Sequence, residues 1–179
     1  FVPLAESPAL TCCERGAALL PILAIPLVYF TREPERAEHT PLSEFDGLCI
    51  GGVNNSAIKT VAKTLLSHSG AAQTERFLVQ AHVSDMPIGA YNQVRMGAQK
   101  TALVPSLYAL RADEKQTFLR VPQEGPVLIP SYFAARTSIS RDLAQTLAAR
   151  ILCTELCEFY AQNGDLILFP ACAQTHSRQ

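Results

Sequence analysis

Two apolar runs broken by proline constrain this chain more than anything else in it. Residues 121–134, VPQEGPVLIPSYFA, place a β-branched and aromatic stretch behind the turn signal Glu124-Gly125, a composition that favours an extended segment over a helix. Pro126 and Pro130 each lack an amide donor, so this strand is expected at an edge or in a crossing between lobes, hydrogen-bonded over part of its length. Residues 17–30, AALLPILAIPLVYF, repeat the pattern with Pro21 and Pro26. That run is shorter than a membrane span requires and its prolines interrupt a helix, so it reads as a second buried strand, not uniformly paired. Two such strands, one near each end, suit neighbouring connections between two lobes, one leading in and the other out. Ligand clefts form where chains cross between lobes, so binding is expected there.

Between these strands the pattern alternates strand and helix. Residues 47–52 (GLCIGG) form a short buried strand that runs into glycines. Behind it, Ile58, Val61, Ala62, Leu65 and Leu66 mark a helical face with Asn54 or Asn55 as its cap. A second short helix is expected at 74–80 and a strand or loop at 81–86. Pro87 suits a helix first turn, followed at helical spacing by Ile88, Tyr91, Val94 and Arg95 until Gly97. Residues 100–105 and 118–121 read as strands, with a helical turn at 106–110. Residues 32–46 are polar, contain Pro34 and Pro41, and read as a surface loop ending in a helical turn. Leu143, Leu147, Ile151, Leu156 and Phe159 then define one long amphipathic helix over 140–162, capped by Ser140 and stopped by Asn163-Gly164. The fold class is therefore α/β, a mixed sheet flanked by helices with a further C-terminal helix.

At 179 residues the chain suits one domain. The expected division is an irregular lead-in at 1–16, a lobe with crossing strands at both ends at 17–134, a C-terminal helix and end at 135–170, and a polar tail at 171–179. Phe1 is not an initiator methionine and the N-terminus lacks the basic region before an apolar one that marks a signal peptide, so the chain reads as a piece of a longer protein. A charged fraction of only 17% leaves apolar surface for a partner, and the face of the 140–162 helix is the expected route to self-association. A net charge of -1 with no basic stripe argues against nucleic acid.

Catalytic and metal signatures are missing from the sequence. The six cysteines, among them the pair Cys12-Cys13, match no zinc spacing and are expected as buried reduced thiols. His39, His68, His82 and His176 are scattered, and no histidine stands in a recognisable relation to Cys12 or Cys13 as a nucleophile. No phosphate loop, nucleophile elbow or dinucleotide fingerprint occurs. The expectation is a protein without metal, cofactor or catalysis.

One junction remains as a candidate binding element. In Gly51-Gly52-Val53-Asn54-Asn55-Ser56, glycines permit close backbone approach, and a helix start offers free amides and the positive end of its dipole to a polar or anionic group. Asn54, Asn55 and Ser56 are the expected ligand contacts, although a plain capped helix would use the same residues. Tyr108 and Tyr132 are added as aromatic contacts near the crossing strands, able to stack or donate a hydrogen bond; core packing is the other use of such residues. Arg95 and Arg136 lie in the same regions and could pair with a carboxylate ligand.

In this order the blocks resemble the type 2 periplasmic-binding-protein-like fold, specifically the iron-transport-like solute-binding proteins of ABC importers. The resemblance runs from about residue 20 to 170: the apolar strand 22–30, the glycine-ended strand and polar helix start 48–56, the proline-aromatic turn 102–109, the 122–130 strand that leads out, and the helix that ends before Pro170. It implies the second lobe of a two-lobe binding protein, with a small-molecule or ion ligand held in a cleft between lobes, an ABC permease as partner, and a periplasmic or extracellular membrane-associated location. The chain has no adjacent tyrosine pair of the kind ferric-binding relatives use. The effector-binding domain of a transcription regulator shares this architecture and stands as the alternative.

Overall fold

The computed structural model of the protein describes residues 17–51, 56–136, 138–151 and 154–168. Two compact units divide the chain, Pro26–Ile129 and the combination of Phe1–Ile25 with Pro130–Gln179. The polypeptide passes between them inside β1 (Ala17–Thr31) and again inside β6 (Val127–Arg136), and a proline, Pro26 or Pro130, opens the new unit each time.

The Pro26–Ile129 unit is built on strands in the order β3-β2-β4-β1-β5. Here β2 is Cys49–Gly51, β3 His82–Ser84, β4 Thr101–Pro105 and β5 Phe118–Arg120. β2 runs parallel to β3 and β4, whereas β1 runs antiparallel to β4 and β5. From Leu27 onward β1 is therefore an interior strand, paired from Leu27↔Pro105 to Thr31↔Thr101. Its prolines do not prevent this because the pairing with β4 begins one residue beyond Pro26, and from Leu27 to Thr31 every residue of β1 has an amide to donate.

Period-two alternation in β1 supplies two cores. Leu27 and Tyr29 face one side with Ile50 and Leu103, and against them pack Ala57, Val61, Leu65 and Phe77 of α2 (Ser56–Gln80). Val28 and Phe30 face the other side with Cys49, Ala102 and Val104, covered by Ala90, Tyr91 and Val94 of α3 (Pro87–Arg95) and Ala109 of α4 (Ser106–Ala109). With helices on both faces, β2 and β4 have no solvent side, which is why LCI and ALV read as unbroken apolar runs.

Two sequence expectations need correction in this unit. Residues 32–46 are not a plain surface loop: α1 (Pro34–His39) precedes a 3-10 turn at Leu42–Glu44, which lies close to the expected helical turn, and Ala37, Leu42 and Phe45 belong to the first core. A six-residue helix is too short to display a period, and Pro34 in its first turn removes only an amide that has no partner there. The helices expected at 57–67 and 74–80 form one element, broken at Gly70, where φ is 81°. Only a residue without a Cβ adopts that geometry readily, so the chain turns there and resumes its helix.

In the other unit, α5 (Arg141–Ile151) and α6 (Thr154–Gln162) lie on either side of residues 152–153. Ser140 accepts the Leu143 amide through its Oγ at 3.2 Å, the cap read from the sequence. Gly164, at φ 79°, closes the end of α6 by donating its amide to the Ala161 carbonyl. The apolar residues beyond it form β7 (Leu166–Ile167), paired with β1 at Leu23 and Ala24. Ala148 and Cys157 pack with Ile22, Phe133 and Ile167. α5 buries Ala144 and Ala148 and leaves Leu143, Leu147 and Ile151 exposed. Among the described residues no helix is long and apolar enough to cross a membrane.

Candidate functional site

The carboxyl ends of β2 and β4 are adjacent, and the chain leaves them in opposite directions. From β2 it passes through α2, on the first core, to β3; from β4 it passes through α4, on the second core, to β5 on the far side of β1. In open α/β sheets this divergence opens a crevice outside the strand ends, the usual place for a ligand. Helices α2 and α4 both begin there, at Ser56 and Ser106.

The sequence-predicted contacts fall as follows. Asn54 and Asn55 lie outside the described residues, and Ser56 is the first residue of α2. Tyr108 sits in α4, immediately past β4, half-buried, with its ring 5.8 Å from that of Tyr91 and the Arg111 guanidinium 5.9 Å above it. The structure thus brings the elements that carry Ser56 and Tyr108 to neighbouring strand ends. Tyr132 is a half-buried residue of β6 and belongs to the other unit.

Gly51 is not open to a ligand, contrary to the expectation for the junction glycines. A β-carbon there would collide with the Cα and N of Pro87 and stand 2.6 Å from the Met86 carbonyl carbon. The glycine instead lets the end of β2 pack on the start of α3. That start is fixed by Met86, whose carbonyl accepts the amides of Gly89 (2.9 Å) and Ala90 (3.3 Å).

At the opposite end of the sheet lies a cavity of about 330 Å³ lined by Phe30, Arg32, Tyr91, Arg95, Arg111, Asp113, Gln116 and Thr117. Its floor is apolar and ordered: Phe30 and Tyr91 are buried with ring centroids 4.7 Å apart. Arg32 follows β1, where buried Thr31 and Thr101 share a 2.7 Å hydroxyl contact. Its Nε donates to the Val94 carbonyl (2.8 Å) and its Nη2 to the Arg95 carbonyl (2.7 Å), which satisfies the last turn of α3. Asp113 is tied into its own turn. One carboxylate oxygen accepts the amides of Lys115, Gln116 and Thr117 at 2.9–3.0 Å and the Thr117 hydroxyl, and these bonds hold its pKa well below the ordinary carboxylate range.

Sequence reasoning did not assemble this cavity. The sequence singles out Arg95 together with Arg136, and neither Arg32 nor Arg111, because the three arginines of the cavity stand on separate elements with no common spacing. The one local signal is Asp113 four residues before Thr117, which marks a turn and not a site.

Nucleophile and metal chemistry find little here. Cys49 and Cys157 are buried, and burial pushes the Cys49 thiol above its ordinary pKa, which disfavours the reactive thiolate. Cys12 and Cys13 lie outside the described residues. Among the described residues no three His, Cys, Asp or Glu side chains gather as metal ligands.

No family model matches the chain, and no curated protein matches it. Solved structures do. Apo FutA2 from Synechocystis PCC6803 superposes with a TM-score of 0.63 at 14% identity, over 86% of this chain and 59% of that one. Iron-bound HitA from Pseudomonas aeruginosa gives 0.56 at 20% identity, over 77% and 52%. The chain has a type 2 periplasmic-binding-protein fold. The regulatory domain of MetR, a LysR family regulator from N. meningitidis, also superposes, with a TM-score of 0.54 at 15% identity over 83% of this chain and 74% of that one. At these identities the likeness is one of fold. The chain spans 59% of FutA2 and 52% of HitA.

Proposed function

We propose that this chain is a non-catalytic ligand-binding domain, part of the substrate-binding component of an ABC-type importer, which takes a small polar or anionic ligand at the carboxyl ends of β2 and β4. The observation that carries the reading is the divergence of the chain at those two adjacent strand ends, with a long helix, from Ser56, as the next described element after β2. Asn54, Asn55 and Ser56 supply side-chain and backbone donors at that helix start, and Tyr108 serves as a weaker contact. The partner is an ABC permease and the location periplasmic or extracellular at the membrane surface. Iron binding by HitA does not transfer by itself, since Tyr108 and Tyr132 stand apart in sequence.

Likeness to the MetR regulatory domain, of which this chain covers 74%, supports a second reading as the effector-binding domain of a transcription regulator. Both readings place the ligand at the same strand ends and differ in the partner. Native mass spectrometry of the full-length parent protein tests the shared part by identifying a small ligand carried at one per chain. The parent gene then separates the two: a neighbouring permease and signal peptide accompany transport, a helix-turn-helix segment accompanies regulation. Turnover of a substrate, abolished by a single Ser or Cys substitution, would overturn both.

A further inference from the structure

We infer that the cavity walled by Arg32, Arg95 and Arg111 is a second binding site, for a small dianion of the phosphate class. It lies at the end of the sheet opposite the strand ends discussed above. The register fixes this: β4 pairs with β1 from Pro105 at its carboxyl end to Thr101 at its start, and Arg32 follows Thr31, the partner of Thr101.

Charge carries the inference. Other arginines of this unit are paired: Arg36 with Glu33, Arg76 with Asp46, and Arg120 with Glu38 and Glu114. Arg32, Arg95 and Arg111 make no ion pair among the described residues, although the chain has 16 acidic residues for 15 basic ones. Three like charges around one cavity repel each other unless an anion joins them. Asp113, the one carboxylate in the wall, is committed to three backbone amides and the Thr117 hydroxyl. Three positive charges and one negative leave the cavity two charges positive, a match for a phosphate group at neutral pH, which carries about -1.5 to -2.

Donor geometry agrees. Arg32 spends two of its N–H groups on the carbonyls of Val94 and Arg95, so its guanidinium is held in place with its remaining donors free. Gly97, at φ 79°, follows the end of α3, and a β-carbon built on it would stand 3.9 Å from the Arg32 guanidinium carbon, so the chain turns away here with no side chain beside that group. Arg111 is stacked on Tyr108, which packs on Tyr91, which packs on Phe30, an aromatic column that braces the second wall. The cavity of about 330 Å³ has room for a phosphate bearing a small organic group.

Calorimetric titration of the full chain with inorganic phosphate at fixed ionic strength tests this, with sodium acetate as the monoanion. Phosphate is expected to bind saturably at one site and acetate at least about tenfold more weakly. Arg95 and Arg111 are exposed, so R95Q and R111Q retain the fold. Each is expected to weaken phosphate binding by about tenfold or more, the usual effect of losing a hydrogen bond to a charged group. R36Q, which alters an ion-paired arginine of the same unit, should leave it unchanged. Glycerol 1-phosphate distinguishes the source: tighter binding than inorganic phosphate assigns the site to phosphomonoesters, and equal or weaker binding to free phosphate. Phosphate that binds no better than acetate, or binds the R95Q/R111Q double variant as well as the wild type, would overturn the inference. Neither result bears on the ligand at the β2 and β4 strand ends.

Discussion

Replacing Gly51 by alanine is the sharpest test of how the sheet end is packed. The added methyl would overlap Pro87 at both Cα and N and stand 2.6 Å from the carbonyl carbon of Met86. All three obstacles are backbone, so no side-chain rotation relieves them. Met86 cannot retreat freely either, because its carbonyl holds the Gly89 and Ala90 amides in the first turn of α3. Overpacking of this kind costs about 1–3 kcal/mol, and rigid obstacles place Gly51→Ala at the upper end, about 3 kcal/mol. For a chain of this length that corresponds to a Tm lower by about 6–12 °C. Circular dichroism melts measure it, and hydrogen exchange at the Gly89 and Ala90 amides, expected to speed up, localises it. A Tm within about 2 °C of wild type with unchanged exchange at both amides would refute the reasoning.

Tyr29 is fully buried and its hydroxyl has no hydrogen-bond partner among the described residues, so Tyr29→Phe keeps the ring contact with Phe45 and removes a desolvated group; denaturant melts should show unchanged or greater stability, by up to about 1 kcal/mol. A clear loss would mean that the hydroxyl is bonded. Asp113 has a folded-state pKa below its unfolded value; its stabilisation of the 113–117 turn is therefore complete above the unfolded value of about 3.9 and is lost only as pH falls through the lower folded value. Asp113→Asn should remove that acid-range dependence, read by NMR of the Thr117 amide against pH. The exposed stripe Leu143, Leu147 and Ile151 of α5 predicts self-association; sedimentation should show wild-type dimers or larger species at high concentration and Leu147→Glu as monomer, and a wild-type monomer at all concentrations would remove the argument.

Much of the secondary structure was legible because single residues announce it. Pro87 and Gly97 bracket α3, Ser140 caps α5, and β2 and β4 show the unbroken apolar character of strands covered on both faces. What the pattern could not show is long-range. α1 hides in a polar stretch because only Ala37 of its six residues is buried. Gly51 looked like ligand-facing backbone because the residue that fills the space beside it, Pro87, is distant in sequence. The interior place of β1 follows from pairing with β4 and β5, which no local count of prolines reveals. The arginine cavity depends on the same pairing, since it joins the end of β1 to the end of α3 and the turn before β5.

The claim at the centre of the account is that ligand is held where β2 ends and α2 begins. Calorimetry of the ligand found on the parent protein, against Asn55→Ala and Ser56→Ala, tests it most directly, with R95Q as the control at the other end of the sheet. Each substitution at the helix start is expected to weaken binding by roughly ten- to a hundredfold, the effect of one lost hydrogen bond to a charged group, while the control leaves it unchanged. Wild-type affinity in both Asn55→Ala and Ser56→Ala, with the fold intact, would contradict the claim and leave the junction as an ordinary helix cap.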